Sequence, residues 1–550
     1  MNSDPILPKM LDALIVGAGF SGLYMLYCLR EHGFTVKIIE TGDGIGGTWY
    51  WNCYPGARCD VESIQYSYSF SEELEEEWKW SESFASQPEI LRYLNYVADK
   101  FDLRKDIQLG TRVSAIIFDE IQSHWEIRTD RGDRLFAKFC IMATGCVSTT
   151  HVPQIKGFDV FSGNHYHTGQ WPHANICFNG RRVAVIGTGS SGIQSIPLIA
   201  EQADHVFVFQ RTPNFSIPAR DEPLKVEYEQ WLKSNYAEYR KQIFETPYGL
   251  IVKNNRNVSA MTVTPEERQD EFEKRWQEGG VAFLLSFNDL LLNKESNDTA
   301  AEFVRNKIRE IVKNPEVAEA LVPQNYPIGT KRLCVDRNYF QTFNRSNVTL
   351  VDLRKGSIDE ITPSGIRIKE KIYEVNDIVL ATGFDAMTGT LLKIDIRGRS
   401  GKSLREKWSE GPRTYLGLMM TDFPNLFIIT GPGSPSVLSN MPRAIEQHVD
   451  WITECLNYLR THCYDTIEPQ LEAENAWVLH VNEVANSTLF PLANSWYVGA
   501  NIDGKPRVFM PYIGGFNVYR QKCQDIVNNG YEGFVCKRHS LNYMTEAPLN

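Results

Sequence analysis

The sequence of 550 residues contains no Cys-x-x-Cys pair, although it has 11 cysteines. This absence excludes the local dithiol of many disulfide reductases and the ligand spacing of a compact zinc ribbon, so we expect no metal site. Because the cysteines are scattered through a large chain, we expect reduced, mostly buried thiols and a cytoplasmic protein.

Long apolar runs and an excess of basic residues are also missing. No stretch reaches the ~18 apolar residues of a membrane span, and residues 1–10 lack the basic segment and apolar run of a secretion signal. The formal net charge is −11, whereas a nucleic-acid surface needs a basic patch. We expect two or three domains that bind neither membrane nor nucleic acid, in a monomer or weak oligomer.

A glycine-rich turn near the start of the chain follows a predicted strand at residues 11–16. The turn is Gly17-Ala18-Gly19-Phe20-Ser21-Gly22, and a helix from about Ser21 to about His32 and a strand at residues 35–39 should follow it. Glu40 closes that strand, 18 residues after Gly22. This is the pattern of a dinucleotide fold, in which pyrophosphate meets a helix N-terminus. An acid at this place would accept the ribose hydroxyls of FAD.

A second turn of the same kind lies 170 residues later, at Gly187-Thr188-Gly189-Ser190-Ser191-Gly192. Predicted strands at residues 182–186 and 205–209 flank it. Where the first unit has an acid, this unit has Gln210-Arg211-Thr212. An acid would repel a 2′-phosphate whereas arginine pairs with it, so the second unit predicts NADP(H).

The order of these units predicts nested domains. Residues 141–145 and 378–383 both place Ala-Thr-Gly after an apolar run, and we interpret each as the last strand of a dinucleotide sheet. The fold class should be α/β, with two nested Rossmann-like dinucleotide-binding domains, an inserted helical lobe, and hinge crossings near 145–153 and Phe384. The predicted limits are 1–145 and 385–550 for the FAD-binding domain, 150–224 and 325–384 for the NADP-binding domain, and 225–324 for the helical insertion.

The predicted insertion is polar and helical, and it should cover a pocket. Thr264-Pro265-Glu266-Glu267 is a capping box that should begin a helix running through Trp276. Residues 297–321 predict another helix. The glutamates of residues 72–77 predict a solvated helix face rather than a binding site.

The segment before the second turn carries a family resemblance. Phe161, Gly163, His167, Trp171 and Pro172 form the pattern Phe-x-Gly-x-x-x-His-x-x-x-Trp-Pro. It resembles the signature of the type I Baeyer–Villiger monooxygenases, whereas N-hydroxylating and sulfur- or nitrogen-oxidising flavin monooxygenases usually lack the Trp-Pro ending. Similar stretches at residues 46–52, 54–60, 331–332, 431–435 and 495–497 extend the resemblance over nearly the whole chain, with phenylacetone and steroid monooxygenases as the most similar subgroup.

The resemblance implies an enzyme that uses FAD, NADP(H) and O2. NADPH reduces the flavin, the reduced flavin forms a peroxide with oxygen, and the peroxide attacks a ketone carbonyl to give an ester or lactone. Domain rotation is expected, since nicotinamide must donate hydride and then make room for substrate.

The resemblance also implies roles for particular residues. Arg332 would stabilise negative oxygen beside the flavin, Asp60 would hold Arg332, and Lys331 would assist Arg211 at the 2′-phosphate. Without the resemblance, we would expect Arg332 to form a surface salt bridge and Asp60 to cap a helix that begins at residues 61–63. Phe161, Gly163, His167, Trp171 and Pro172 would form an interdomain linker, with His167 structural rather than a general base. The predicted cofactor-binding residues are Gly17, Gly19, Phe20, Gly22, Glu40, Gly47, Thr48, Trp49, Asp60, Tyr66, Gly187, Thr188, Gly189, Ser190, Ser191, Gly192, Gln194, Arg211, Thr212, Lys331, Arg332 and Trp496.

The sequence indicates the substrate less directly than the cofactors. Ser436-Val437-Leu438 resembles a pocket-lining bulge of the phenylacetone-like subgroup, which predicts aromatic, linear or bulky cyclic ketones. Met441 joins these three as a predicted pocket residue, and Tyr66, Leu438 and Met441 could equally be core. Two alternatives stay open: a flavin monooxygenase that oxidises sulfur or nitrogen, and a redox-sensing protein that binds both dinucleotides without catalysis.

Overall fold

The computed structural model describes residues 10–220, 222–252 and 256–538. Residues 1–9 and 539–550, which include the stretch predicted to lack a secretion signal and both outer ends of the predicted FAD-binding domain, lie outside the described residues. The strands are β1 Leu11–Val16, β2 Val36–Ile39, β3 Ile107–Gln108, β4 Val113–Asp119, β5 His124–Thr129, β6 Arg134–Met142, β7 Asn164–His167, β8 Arg182–Ile186, β9 His205–Gln210, β10 Ser216–Pro218, β11 Cys334–Asp336, β12 Val348–Asp352, β13 Glu360–Thr362, β14 Gly365–Ile368, β15 Lys371–Glu374, β16 Asp377–Leu380, β17 Asp395–Arg397, β18 Leu426–Ile428, β19 Thr466–Pro469 and β20 Phe534–Lys537.

The helices follow the same chain order. They are α1 Phe20–Glu31, α2 Thr48–Trp51, α3 Glu72–Glu77, α4 Gln87–Lys100, α5 Ser190–Gln202, α6 Val226–Lys233, α7 Tyr236–Glu245, α8 Pro265–Glu278, α9 Lys294–Ile311, α10 Pro315–Leu321, α11 Tyr339–Thr342, α12 Gly389–Lys393, α13 Leu404–Lys407, α14 Met441–Thr461, α15 Leu471–Asn486 and α16 Phe516–Asn528. Short 3-10 turns connect several of them, including one at Ser436–Leu438.

Two sheets organise the molecule. The first has eight strands in the order β17-β4-β5-β6-β1-β2-β3, with β18 also paired to β6. The second has five strands in the order β12-β9-β8-β16-β7, and its neighbours are all parallel. All strands of the second sheet lie in the chain between β6 and β17, so the predicted nesting of two Rossmann-like sheets in an α/β fold is confirmed.

Residues 141–145 and 378–383 were each predicted to end a sheet, and the structure confirms only the second of these predictions. β16 is the last strand of the second sheet in chain order, as expected. β6 is not the last strand of the first sheet, because β17 and β18 return after the second sheet and pair with β4 and β6. A return of this kind leaves no local signal, since both strands are only three residues long.

The helical insertion is divided between two cores, which corrects the expectation of one lobe. Leu232, Tyr239 and Ile243 of α6 and α7 join the core formed by α1 and α14 beside the first sheet. Phe272 and Trp276 of α8 instead join the core around α5 and the second sheet. α6 and α7 therefore belong to the first core and α8 to the second.

Two other local predictions are corrected. The helix expected at residues 297–321 is split into α9 and α10, because Asn314 caps the second helix and Pro315 takes its first position. The glutamates of α3 are exposed as predicted except Glu75, which is buried against Arg240. The Thr264 capping box is confirmed.

Candidate active site

Arg332 and Asp60 form the centre of the site. The guanidinium of Arg332 binds the Asp60 carboxylate with both sides of its fork, Nε to Oδ2 at 2.9 Å and Nη2 to Oδ1 at 2.6 Å. Nη1 donates to the carbonyl oxygen of Val437 at 3.1 Å. The side chains are 32% and 25% exposed, so the fixed guanidinium still borders open space. Residues 61–63 form no helix, which removes the alternative of Asp60 as a helix cap.

Several forces act on the charge of Arg332. Burial opposes it, but the charge and hydrogen bonds of Asp60 raise the pKa of Arg332 above its usual value. Burial also raises the pKa of Tyr497 to about 12, with Arg332 acting in the opposite direction. Tyr497 was absent from the predicted site residues, although the matching stretch 495–497 could have indicated it. Its neighbour Trp496 packs against it, with ring centres 4.2 Å apart and ring planes tilted by 44°.

The predicted pocket residues divide into two groups. The Val437 carbonyl holds Arg332, and the Val437 and Leu438 side chains are half-buried beside Tyr497. Met441 is half-buried at the start of α14. Ser436, however, is fully buried, and its hydroxyl lies 3.1 Å from the carbonyl oxygen of Thr430. The side chain of Ser436 therefore supports the loop and does not line a pocket, which corrects that prediction.

The first glycine turn fits a dinucleotide phosphate. Gly17 has φ +109°, and a β-carbon there would lie 2.5 Å from the Ala143 carbonyl oxygen. Gly19 precedes α1, whose N-terminus has no side-chain cap and no acidic residue in its first turn. Free N–H groups and a positive dipole end remain available for an anion. Gly22 packs so closely on Gly17 that a β-carbon would collide with its carbonyl oxygen.

Glu40 lies at the carboxyl end of β2, facing that turn. Its oxygens accept from the backbone N–H of Ala18 at 2.8 Å and of Gly42 at 2.7 Å. Burial raises the pKa of Glu40, while these two N–H groups act in the opposite direction. A carboxylate held at this position fits the ribose side of a dinucleotide.

Aromatic side chains flank the first turn. Trp49 Nε1 donates to the Tyr66 hydroxyl at 3.2 Å, and the Tyr66 ring meets Phe20 edge-on at 5.4 Å. Gly47 precedes α2, where Thr48 is the first residue, and its backbone lies against Gly19. Six predicted cofactor residues thus meet in one region.

The second glycine turn repeats the geometry of the first. Gly187 has φ +110°, and Gly192 packs on Gly187 as Gly22 packs on Gly17. Gly189 precedes α5, again without a side-chain cap, and a β-carbon there would meet nothing within 4 Å. This open space lets a phosphate approach the backbone. Ser190 is exposed, the Ser191 hydroxyl lies 3.1 Å from that of Thr168, and the Thr188 hydroxyl donates to the carbonyl oxygen of Thr212.

Two cations lie together beside this turn. Burial and the nearby Arg211 lower the pKa of Lys331, and the Lys331 ammonium is 4.6 Å from the centre of the Tyr326 ring. Within the described residues, neither Arg211 nor Lys331 forms an ion pair with a carboxylate. A pair of like charges without a carboxylate fits the 2′-phosphate of NADP(H).

Gln194 connects the second unit to the first. Its Oε1 accepts from the Tyr54 hydroxyl at 2.8 Å, and its Nε2 donates to the Arg58 carbonyl oxygen at 3.1 Å. Both ends of the amide are therefore bound to the loop 54–58, which leads to Asp60. This contact joins α5 of the second unit to the first unit, and the predicted cofactor contact of Gln194 stays a prediction.

Comparisons with known proteins place the chain in a family. A family model described as pyridine nucleotide-disulphide oxidoreductase matches residues 14–286. A Baeyer-Villiger monooxygenase from Pseudooceanicola batsensis is 40% identical over 531 residues, covering 96% of both chains. The phenazine N-monooxygenase PhzNO1 from Lysobacter antibioticus is 40% identical over 528 residues, covering 95% of this chain and 96% of its own. A solved structure, oxidized steroid monooxygenase bound to NADP, has 49% identity and a TM-score of 0.92, covering 96% of this chain and 100% of its own.

The chain belongs to the type I Baeyer–Villiger monooxygenases. The predicted resemblance is confirmed, and so are the enzyme class, an NADPH-dependent flavoprotein monooxygenase, and the cofactors FAD, NADP(H) and O2.

In this Baeyer–Villiger monooxygenase, the signature segment lies partly in the second sheet. His167 ends β7 and pairs with Leu380 of β16. Its Nδ1 accepts from the Gly169 N–H at 2.9 Å, and Nε2 lies 3.3 Å from the carbonyl oxygen of His151. Burial lowers the pKa of His167, so the ring is neutral at neutral pH. These contacts support a structural role.

The rest of the signature connects this strand to the first unit. A β-carbon on Gly163 would collide with the Asn376 carbonyl oxygen, and Phe161 packs on the second sheet. Trp171 is buried against Tyr166, and its backbone N–H reaches the Trp51 carbonyl oxygen at 3.4 Å. Pro172 is exposed.

Three further features of this monooxygenase bear on the predictions. All 11 cysteines are free and seven are buried, as expected of reduced thiols. Among the helices of the described ranges, none is both long and apolar enough to cross a bilayer. The same part of the chain contains no cluster of His, Cys, Asp or Glu suited to a metal ion.

Proposed function

We propose that this enzyme inserts one oxygen atom of O2 next to the carbonyl of an aromatic, linear or bulky cyclic ketone, giving an ester or lactone, with Arg332 as its catalytic cation. The observation that carries the proposal is the bidentate pairing of Arg332 with Asp60, completed by the Val437 carbonyl. FAD, when bound, supplies the ring that accepts hydride from NADPH and reacts with O2.

Arg332 acts by stabilising negative charge on oxygen. Attack on a ketone carbonyl places that charge on the former carbonyl oxygen, and a fixed guanidinium stabilises it without reorganising. Because Asp60 and Val437 hold three of its nitrogens, Arg332 needs no movement at that moment. Its raised pKa keeps it charged throughout.

Replacement of Arg332 tests this role. Arg332→Ala should keep FAD bound but lower ester formation from phenylacetone by about 100- to 1,000-fold, the usual loss for one stabilising donor. The measurements are NADPH consumption and product identity by mass spectrometry. Arg220→Ala is the matched control, since Arg220 binds only Gln277 among the described residues. Ester formation by Arg332→Ala at the normal rate would refute the assignment.

The coenzyme sites follow from the two turns. The first turn with Glu40 is our proposed FAD site, and the second turn with Arg211 and Lys331 is our proposed NADP(H) site. We retain the proposed domain limits 1–145 and 385–550, and 150–224 and 325–384, with α6 and α7 assigned to the outer domain because they pack in its core.

Oxidation of nitrogen or sulfur is the second candidate function, favoured by the similarity to a phenazine N-monooxygenase. A panel that pairs phenylacetone with a thioether and an aromatic amine separates the two. Ester as the dominant product supports ketone oxidation, whereas efficient turnover of the thioether or amine with no ester supports the alternative.

The same proposal includes a cytoplasmic monomer or weak oligomer. Eleven free cysteines suit a reducing compartment. Cell fractionation and light scattering of the purified enzyme test the location and the assembly.

A further inference from the structure

The residues 430–437, called here the Thr430 loop, begin in an unfavourable conformation. Thr430 has φ +55°, in the left-handed region that β-branched residues rarely adopt. Such a residue persists only where its surroundings hold it, and these conformations cluster at functional sites. The loop ends at Val437, whose carbonyl oxygen binds Arg332.

A buried histidine holds the start of the loop. His448 of α14 is fully buried, and its Nδ1 accepts from the Thr430 N–H at 2.9 Å. Its Nε2 lies 2.9 Å from the Tyr519 hydroxyl, which itself donates to the Leu416 carbonyl oxygen at 2.6 Å. Since Nδ1 accepts, Nε2 must carry the proton and donate to Tyr519. Burial lowers the pKa of His448 to about 3, so the ring is neutral at neutral pH.

Two side chains connect Thr430 to the other end of the loop. The Ser436 hydroxyl donates to the Thr430 carbonyl oxygen at 3.1 Å, and the Cys146 thiol donates to the same oxygen at 3.4 Å. Ser436 also has a positive φ, +45°, immediately before Val437. The position of the Val437 carbonyl therefore depends on the conformation of Thr430.

We propose that His448 is a positioning residue for Arg332, acting through the Thr430 N–H and the Thr430 loop to place the Val437 carbonyl. Loss of the imidazole acceptor leaves a buried N–H unpaired and lets Thr430 leave the left-handed conformation. Arg332 then keeps Asp60 but loses its third contact, and its guanidinium is less well fixed. This inference rests on the proposed catalytic role of Arg332.

His448→Phe in the holoenzyme tests the link. Phenylalanine fills the volume of the imidazole but accepts no hydrogen bond. We expect amide hydrogen exchange in the peptide spanning residues 430–438 to accelerate several-fold. The ratio of hydrogen peroxide to ester per NADPH should rise several-fold, while the affinity for NADP, at the second turn, stays unchanged. His448→Gln, which has both an acceptor and a donor, should restore most of the exchange protection and coupling.

His462→Phe is the control, because His462 is an exposed histidine at the other end of α14. If His448→Phe is not recovered folded, Tyr519→Phe removes the partner of Nε2 and should shift both measurements in the same direction. Wild-type exchange and coupling in the folded variant would overturn the inference, and so would a His448→Gln variant as impaired as His448→Phe. Normal ester formation by Arg332→Ala would instead overturn the role of Arg332, whatever the exchange shows.

Discussion

At the scale of single residues, two neighbouring cations at the second turn, Arg211 and Lys331, have no carboxylate partner among the described residues. Burial and the nearby Arg211 lower the pKa of Lys331. Such a pair costs free energy until an anion arrives. A phosphate that binds there relieves the repulsion, which makes coenzyme selectivity a property of two side chains.

Arg211→Ala should therefore discriminate between coenzymes. Loss of one charge-assisted hydrogen bond, worth about 1.5–3 kcal/mol, should lower kcat/KM for NADPH roughly 10- to 100-fold. The value for NADH, which has no 2′-phosphate, should change little. Steady-state kinetics with both coenzymes measures this, and equal losses would argue against the 2′-phosphate role.

The local pattern indicated Arg211, whereas only the family resemblance of the stretch 495–497 could have indicated Tyr497. Arg211 follows a strand and a glycine turn at a fixed spacing, so local pattern alone identifies its position. Tyr497 lies 165 residues after Arg332 in the chain, and only the folded molecule brings its hydroxyl to the guanidinium. Ser436 was misassigned because a sequence does not say which side of a tight turn faces the core.

At the scale of elements, the strands and helices with strong periodicity were predictable. β1 and β8 have the predicted limits, and α1 begins and ends within one residue of prediction. The parallel pairing of β18 with β6 and the interruption of the helix between α9 and α10 were not predicted. Strand pairing depends on residues distant in the chain, and the single helix predicted for residues 297–321 took no account of Asn314 and Pro315, which cap and begin α10.

Replacement of Gly56 tests the contact between the loop 54–58 and α5. It has φ +83°, and a β-carbon would collide with the Gln194 carbonyl oxygen in α5. Gly56→Ala should destabilise the protein by ~1–3 kcal/mol more than Gly132→Ala, which has φ +85° but open space around it. Both variants share the backbone strain, so only the collision differs. Thermal melting of the holoenzymes compares them, and equal melting temperatures would mean that the loop yields freely.

Replacement of His167 tests the structural role of the signature segment. His167→Gln should slow turnover several-fold without abolishing flavin reduction by NADPH, because the imidazole supports β7 and the turn at Gly169 rather than the transferred hydride. Rapid-mixing absorbance of the flavin separates the two steps. Complete loss of flavin reduction would show a more direct role.

At the scale of the molecule, the sequence could not predict that the helices of the insertion pack in two different cores. An amphipathic pattern shows that one face of a helix is buried, but not which core covers it. The apolar faces of α6 and α8 look alike in this respect, yet they pack against different sheets.

A buried ion pair fixes the first part of the insertion to the outer core. Arg240 of α7 binds Glu75 of α3 at 2.5 Å, and both side chains are less than a tenth exposed. Arg240→Met should destabilise the protein by about 3–5 kcal/mol, because it leaves a buried carboxylate unpaired. The double variant Glu75→Leu with Arg240→Met should recover most of the stability. Melting temperature and FAD retention measure both, and a double variant no more stable than the single one would contradict the argument.

The division of the insertion has a consequence for how this protein can be cut. The backbone runs from one core to the other after β6, returns before α6, leaves again after α7 and returns after β16. A gene cut near residues 145 and 385 leaves the outer fragment without α6 and α7, which pack in its core but lie on the inner fragment. Transplanting a coenzyme module between relatives therefore requires keeping α6 and α7 with the outer core and α8 with the inner one.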